Sequence, residues 1–196
     1  FNNNGDFLWV THFSGNDLVR GQSVRPCPDG GVFALFSVNG SFLIEGTDPE
    51  VSMPDGDLRW ALVKLDNNGD YLWHRTATTS NQTSIITQSL ACTSDGEVLL
   101  AGDFTQTTEF TNSDGLDPVS LTSDGSFDVF LAKYNKDGDI LWIKGFGSTT
   151  LDRTIGVTSN ENQHTVYGLY SNRVLVEYDT IKVPLPTYGV FNISFD

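Results

Sequence analysis

Apolar and polar residues alternate along short stretches of this chain, and the alternation leaves neither face polar. Leu8, Val10 and His12 interleave with Phe7, Trp9 and Thr11, while Val32, Ala34, Phe36 and Val38 interleave with Phe33, Leu35 and Ser37. A period of two marks β-strands, and apolar groups on both sides mark strands that are covered from both sides. No stretch of ten or more residues places apolar side chains at i, i+3, i+4 and i+7 free of glycine or β-branched clusters, so no long helix is predicted. Tight turns punctuate the strands: Asn68-Gly69 and Asp137-Gly138 stand between two apolar runs, and Asp29-Gly30 and Asp95-Gly96 do the same. The expected turn is type I′, in which both central residues take positive φ.

These strands and turns recur in one order, three times over. GDFLW begins at Gly5, GDYLW at Gly69 and GDILW at Gly138. The second and third are preceded by ALVKLDNN (Ala61 to Asn68) and FLAKYNKD (Phe130 to Asp137), and FNNN before Gly5 reads as the tail of such a run. Downstream of each comes a further shared block: CPDGGVFALFS (Cys27 to Ser37), CTSDGEVLLAG (Cys92 to Gly102) and, more loosely, VTSNENQHTVYGLYS (Val157 to Ser171). Such a unit is too large for a hairpin and too small for a usual domain. The expected architecture is all-β: one domain over 1–196 of β-propeller-type blades, in three repeats of about 65 residues (approximately 1–64, 65–133 and 134–196), each with about four antiparallel strands. A blade packs against two neighbours, which explains strands without a polar side. Trp9, Trp73 and Trp142 take one position per repeat and are expected to fill equivalent gaps between blades. The other use of such a ring is a solvent-facing platform for a sugar.

The order DVFLAKYNKDGDILW from Asp128 to Trp142, with the Thr-rich turn after it and the Asp-Gly hairpins, resembles the bacterial β-propeller repeat known as the SBBP repeat. All three units carry the resemblance. It implies a β-propeller in a large secreted or surface protein of bacteria, hence an extracellular or cell-surface location. The third unit departs from the pattern: Asn160-Glu161 stands where the others have Asp-Gly, and Phe191 to Asp196 lacks the Lys of the run before GDxLW. Activity does not follow, because propellers host enzymes, lectins and scaffolds alike.

Charge changes the picture next. Eleven Lys and Arg against 25 Asp and Glu give a net charge of −14, which repels polyanions and argues against a nucleic-acid partner. No basic residue lies between Arg75 and Lys133, where Asp95, Glu97, Asp103, Glu109, Asp114, Asp117, Asp124 and Asp128 fall; a solvated acidic face is the expectation, with divalent-cation binding as the other use. No run of ~18 apolar residues indicates membrane insertion. The chain opens on a strand that should pair with the run before GDxLW and closes, at Val190 to Asp196, on such a run without its partner. The expectation is a segment of a longer protein, with pairing to a second copy to make six blades, or closure on itself in a strained or non-propeller way, as the alternatives; closed propellers have about 4 to 8 blades.

Candidate chemistry is sparse. Asp66, Asn68 and Asp70, and Asn135, Asp137 and Asp139, crowd oxygen ligands into two short loops and are the calcium candidates, although Asn and Asp are also what tight hairpins require. No other cofactor is indicated. Cys27 and Cys92 read as matching positions of consecutive blades, and Val157 in the third unit points to a position that is simply small and buried. A disulfide there would need Cα atoms about 4.4 to 6.8 Å apart, which equivalent positions meet only near a propeller axis. His12, His74 and His164 have no metal-pair spacing, no GxSxG is present, and Gly145-Phe146-Gly147 lacks the context of a nucleotide loop. Ser94-Asp95-Gly96 and Ser123-Asp124-Gly125 lack the aromatic end of a sialidase box. Sequons at Asn39, Asn81 and Asn192 are as many as chance gives for 14 Asn and 37 Ser and Thr. The expected function is therefore a non-catalytic extracellular repeat module, a scaffold or adhesive unit whose partners are further blades, a second copy, or a surface glycan or protein ligand. The alternative is a carbohydrate-binding or carbohydrate-cleaving propeller working through its central funnel, which would need paired carboxylates about 5 to 9.5 Å apart for cleavage.

Overall fold

The computed structural model describes residues 3–45, 47, 51–53, 59–79, 86–113, 117–160, 163–171, 175–178, 181–184 and 189–195. Every regular element among them is a strand. In chain order these are β1 (Phe13–Ser14), β2 (Val19–Pro26), β3 (Val32–Val38), β4 (Phe42–Ile44), β5 (Val51–Met53), β6 (Arg59–Leu65) and β7 (Tyr71–Thr79). The second set is β8 (Ile86–Cys92), β9 (Val98–Phe104), β10 (Thr107–Phe110), β11 (Val119–Thr122), β12 (Asp128–Tyr134) and β13 (Ile140–Phe146). The third is β14 (Asp152–Ser159), β15 (His164–Tyr170), β16 (Leu175–Tyr178), β17 (Ile181–Pro184) and β18 (Gly189–Phe195).

Three antiparallel runs carry the repeat: β2-β3-β6-β7, β8-β9-β12-β13 and β14-β15-β18. Between the second and third strands of each run a further hairpin is inserted, β4-β5, β10-β11 and β16-β17. Four strands per unit therefore describes a sheet, and the inserted hairpin adds two. Sheet and sequence repeat are out of phase. The GDxLW strand closes the sheet whose first three strands precede it, with Lys64 opposite Trp73 and Lys133 opposite Trp142. β7 then runs on, and its residues Ala77 to Thr79 pair with β10, in the hairpin inserted in the next sheet, as Phe13 and Ser14 of β1 pair with β4.

The two-sided burial predicted from the alternation is present at Val32 to Val38, and each side of such a strand feeds a different core; at Phe7 to His12 it is not, for that stretch forms no strand and leaves Phe7, Leu8 and Val10 exposed. Val98, Leu100 and Phe104 of β9 enter one cluster with Phe33, Leu35, Trp60 and Leu62 of the first sheet. Leu99 and Ala101, between them in sequence, enter a second cluster with Val157, Val166 and Tyr170 of the third sheet. β8 accordingly lies against β2 and β3 on one side and β14 on the other. Trp73 and Trp142 pack on the two clusters shared by successive sheets, whereas Trp9 packs on a third cluster formed by the first sheet and its inserted hairpin. Closure into a barrel or a propeller ring is not formed among the described residues, where β18 is a sheet edge.

Turn geometry differs from the expectation. Gly30, Gly69, Gly96 and Gly138 take φ of +80° to +86°, but the residue before each does not take positive φ. Gly69 N–H donates to Asp66 O at 3.2 Å and Asp66 N–H to Asp70 O at 2.9 Å, and the bonds around Asn135 repeat the pattern. These are type I turns closed by a glycine bulge, not type I′. The reason is the first side chain of the turn: Asp66 and Asn135 accept amides two and four residues ahead, a local bond that favours the type I path. A second device, absent from the sequence reading, is a bulge at one place in the first strand of every sheet, between Gly21 and Ser23, Thr87 and Ser89, and Thr154 and Gly156.

Cys27 and Cys92 form a disulfide, Cα to Cα 5.7 Å, which corrects the reading of a merely small, buried position. Their positions do not match after all. Gly30 N–H closes its turn on Cys27 O, whereas Gly96 N–H closes on Thr93 O, so Cys92 stands one residue earlier in its sheet than Cys27. The same bookkeeping aligns Val157 with Leu90. Equivalent side chains on stacked sheets point the same way; a one-residue offset on a period-two strand turns one of them to face the other. Neighbouring sheets are thereby joined covalently at their first strands.

Candidate functional site

The six predicted calcium candidates lie in two turns of successive repeats, and the structure shows partners for the side-chain oxygens of Asp66, Asn135, Asp137 and Asp139. Asp66 Oδ1 accepts the amides of Asn68 and Asp70 at 2.8 and 2.9 Å, and Asn135 Oδ1 accepts those of Asp137 and Asp139 at 2.9 and 2.8 Å. Those bonds, the Asp70 amide first, hold the Asp66 carboxyl below its ordinary range. Asp139 accepts the Ser113 hydroxyl and the Asn135 side-chain amide, which lower it likewise, and Asp137 lies 3.0 Å from Lys136 Nζ. The turns thus close on themselves. Among the described residues no three His, Cys, Asp or Glu side chains are grouped as metal ligands.

What these turns do receive is the preceding repeat. Trp9 Nε1 donates to Asn67 O at 3.0 Å and Thr11 Oγ1 to Gly69 O at 2.7 Å. One repeat later Trp73 Nε1 donates to Lys136 O at 2.9 Å, while Arg75 donates from Nε to Gly138 O at 2.7 Å and from Nη2 to Asp137 O at 2.9 Å. The guanidinium also lies over the Trp73 ring, 4.9 Å from its centre. A Trp and the residue two positions on therefore clasp the next turn. Glycine is needed there twice over, for the positive φ and because a Cβ on Gly69 would meet the Trp9 indole at 2.5 Å. Thr11 and Arg75 were missed as site residues; the signal was their shared place two residues after the Trp, on the same strand face.

A groove lies beside each clasp, about 350 Å³ at the first and 490 Å³ at the second. The second is lined by Tyr71, Trp73, His74, Arg75, Asn112 and Ser113 among others. Tyr71 Oη and His74 Nδ1 are 2.8 Å apart; burial first, then the Arg75 charge, lower the His74 pKa, and burial raises that of Tyr71. His12 pairs with Glu45 at 2.7 Å and His164 bonds Ser159, so the three histidines stand in three repeats and do not converge.

A third groove, about 240 Å³, is lined by Asp124, Asp128, Thr122 and Phe104 with Gly145 to Gly147. Asp128, the first residue of β12, is only 3% exposed; its Oδ2 accepts the Asp124 amide at 2.8 Å, and Oδ1 has no partner within hydrogen-bonding geometry. Burial pushes Asp128 up to about 7; the Asp124 amide opposes the shift and the charge of Asp152 adds to it. Asp152 repeats the design, accepting the Ser148 amide and hydroxyl at 2.7 and 2.8 Å, and burial raises it too. Asp103 is fully buried, and its Oδ1 accepts the Thr154 amide. The acid-rich stretch is therefore not one solvated face: Asp103 and Asp128 are interior, Glu97 pairs with Lys133 at 2.7 Å, and Asp114 lies outside the described residues.

The raised Asp128 makes a signed prediction. Between its unfolded value of 3.8 and about 7 the carboxyl is protonated in the fold and ionised in the unfolded chain, so its contribution is complete at low pH and is lost as pH rises through 7. Asp128→Asn stabilises the protein by roughly 2 kcal/mol at pH 8 and by almost nothing at pH 3.5. Urea unfolding at both pH values measures this, and an equal effect at the two would show that Asp128 titrates normally. Comparison with known proteins finds no matching family model and no matching curated protein.

Proposed function

We propose that this chain is a non-catalytic, extracellular β-propeller repeat module of the SBBP type, a scaffold or adhesive unit of a larger cell-surface protein or assembly. The observation that carries the reading is the clasp between repeats. The most recurrent residues of the unit, the indole of GDxLW and the glycine turn, are engaged in joining one repeat to the next. A chain built this way is modular, and recognition falls to its loops and grooves. The disulfide is compatible with an oxidising compartment, and the acidic balance favours a neutral glycan or a protein ligand over nucleic acid. No cofactor belongs to this reading, so chelator leaves the melting temperature unchanged; a large drop would assign calcium to the turns at Asp66 and Asn135.

One observation favours the carbohydrate alternative: Asp124 and the near-neutral Asp128 line a common groove, as an acid and its partner carboxylate do. A panel of surface glycans assayed for both binding and turnover separates the two. Binding without turnover, unaffected by Asp128→Asn, supports the module. Turnover abolished by Asp128→Asn without loss of stability overturns the non-catalytic reading.

A further inference from the structure

We infer that the groove lined by Asp124, Asp128 and Gly145 to Gly147 takes the side-chain ammonium of a lysine presented by a partner protein. This rests on the module reading and names the chemistry of its ligand. The groove, about 240 Å³, is open because of two glycines to which the sequence assigns no role. A Cβ on Gly147 would lie 2.1 Å from the Asp128 carboxyl, and one on Gly145 would enter the gap 3.6 Å from Leu121 and Phe104. Strand register shows that this space is not part of the repeat. Phe130 faces Gly145 as Ala61 faces Thr76, so the first sheet carries Thr76 and Thr78 where the second carries Gly145 and Gly147. Asp128 faces Phe104 as Arg59 faces Val38, so the second sheet has an acid at the position that Arg59 holds in the first. Stacking one repeat on the next does not require these residues.

Hydrogen bonding and charge select the ligand. Asp128 is 3% exposed and the Asp124 amide occupies its Oδ2, while Oδ1 has no hydrogen-bond partner among the described residues. Asp152, which holds a turn in the same way, also uses its Oδ1, on the Ser171 amide at 3.4 Å. A buried acceptor without a donor carries a desolvation cost that a ligand N–H relieves. The side-chain charges that act on Asp128 are those of Asp152 and Asp124, both negative. No basic residue lines the groove, and Arg153 is turned to Asp103 at 3.9 Å and to the Phe127 ring. The cation is therefore left for a ligand to bring. A guanidinium fork is matched to both oxygens of a carboxylate, and here one is taken; an ammonium needs only one. Phe104, Leu121 and Phe146 wall the groove with apolar surface, which suits the four-carbon stem of lysine better than sugar hydroxyls or a hydrated metal ion. Asp124, exposed, adds a second carboxylate to the lining. Because burial holds Asp128 up to about 7, it ionises as pH rises through that value, and the lysine binds more tightly above it.

The test titrates the whole chain with N-acetyl-lysine methylamide at pH 8 and at pH 6 while the amide signals of Gly145 and Gly147 are followed by NMR. Saturable shifts at both glycines are expected, with weaker binding at pH 6. Asp128→Asn is expected to raise the dissociation constant about tenfold, and Gly145→Val, which fills the groove and keeps both carboxylates, to abolish binding. The ε-acetylated probe keeps the stem, loses the charge and is expected not to bind to the unaltered chain. Equal binding of that probe, or no shift at either glycine, overturns the proposal. Shifts at these glycines with calcium chloride or glucosamine but not with the lysine probe overturn it as well, in favour of a metal or an amino sugar. A failed lysine titration leaves the module reading standing, since the glycan panel decides that separately.

Discussion

Replacing both cysteines, Cys27→Ala with Cys92→Ala, lowers the unfolding free energy by about 4 kcal/mol and the melting temperature by about 10 °C. The two residues are 65 apart, and a crosslink over so long a loop removes much of the freedom of the unfolded chain. The bond also joins two sheets near the ends of their first strands, where side-chain packing is otherwise the contact, far from the Trp73 and Arg75 clasp and the β7–β10 pairing. Its loss is therefore expected to loosen the junction between repeats before the sheets themselves. Calorimetry of the double variant beside the parent measures the stability, and hydrogen exchange shows whether β2 and β8 lose protection first. A drop below about 1 kcal/mol would mean that packing alone holds the junction.

Trp73→Ala is expected to lower stability by about 3 to 5 kcal/mol. The ring packs on the first shared cluster, lies 5.5 Å from Phe33 centre to centre, and supports the guanidinium of Arg75. Without it the turn at Lys136 to Gly138 loses the indole hydrogen bond and the platform that orients Arg75. Trp73→Phe separates these effects: it keeps most of the burial and gives up the N–H, for a cost of about 1 kcal/mol. Amide exchange at Lys136, Asp137 and Gly138 rises in both variants if the clasp secures that turn. Unchanged exchange with a large loss of stability would make Trp73 a core residue only.

Much of the sheet was legible in the chain because its causes are local. Period-two alternation with apolar residues on both sides predicted the strand at Val32 to Val38, which is buried on both sides, but the same alternation at Phe7 to His12 gives no strand, because alternation states a local preference and not whether neighbouring strands cover the stretch. Asp-Gly and Asn-Gly pairs located the turns, since only glycine takes φ near +85° without strain. The turn type was misread because it depends on the side chain that opens the turn, Asp66 or Asn135, as well as on the pair at its tip. Two of the calcium candidates take part in this: the Oδ1 atoms of Asp66 and Asn135 accept backbone amides of their own turns.

Residues that act across repeats were the least legible. Thr11 and Arg75 meet turns 58 and 63 residues away, and no local pattern states that distance. Lys64, the charge within the apolar run Ala61 to Asn68, is 2% exposed, bonded to Asp29 at 2.8 Å and set over the Phe33 ring, a setting its place in the run does not state. The phase of the repeat likewise emerged only from pairing, when the GDxLW strand proved to close the sheet before it.

By itself, then, the sequence determined that this protein is built of strands, where they turn, and that one unit recurs three times, because alternation, glycine conformation and repetition are properties of neighbouring residues. Tertiary structure alone decided that the cysteines face each other, that the indoles clasp the following turns and that Asp128 is interior. Each of those depends on how one sheet sits against the next, and a single residue of offset between stacked strands is enough to turn a side chain from one core to another.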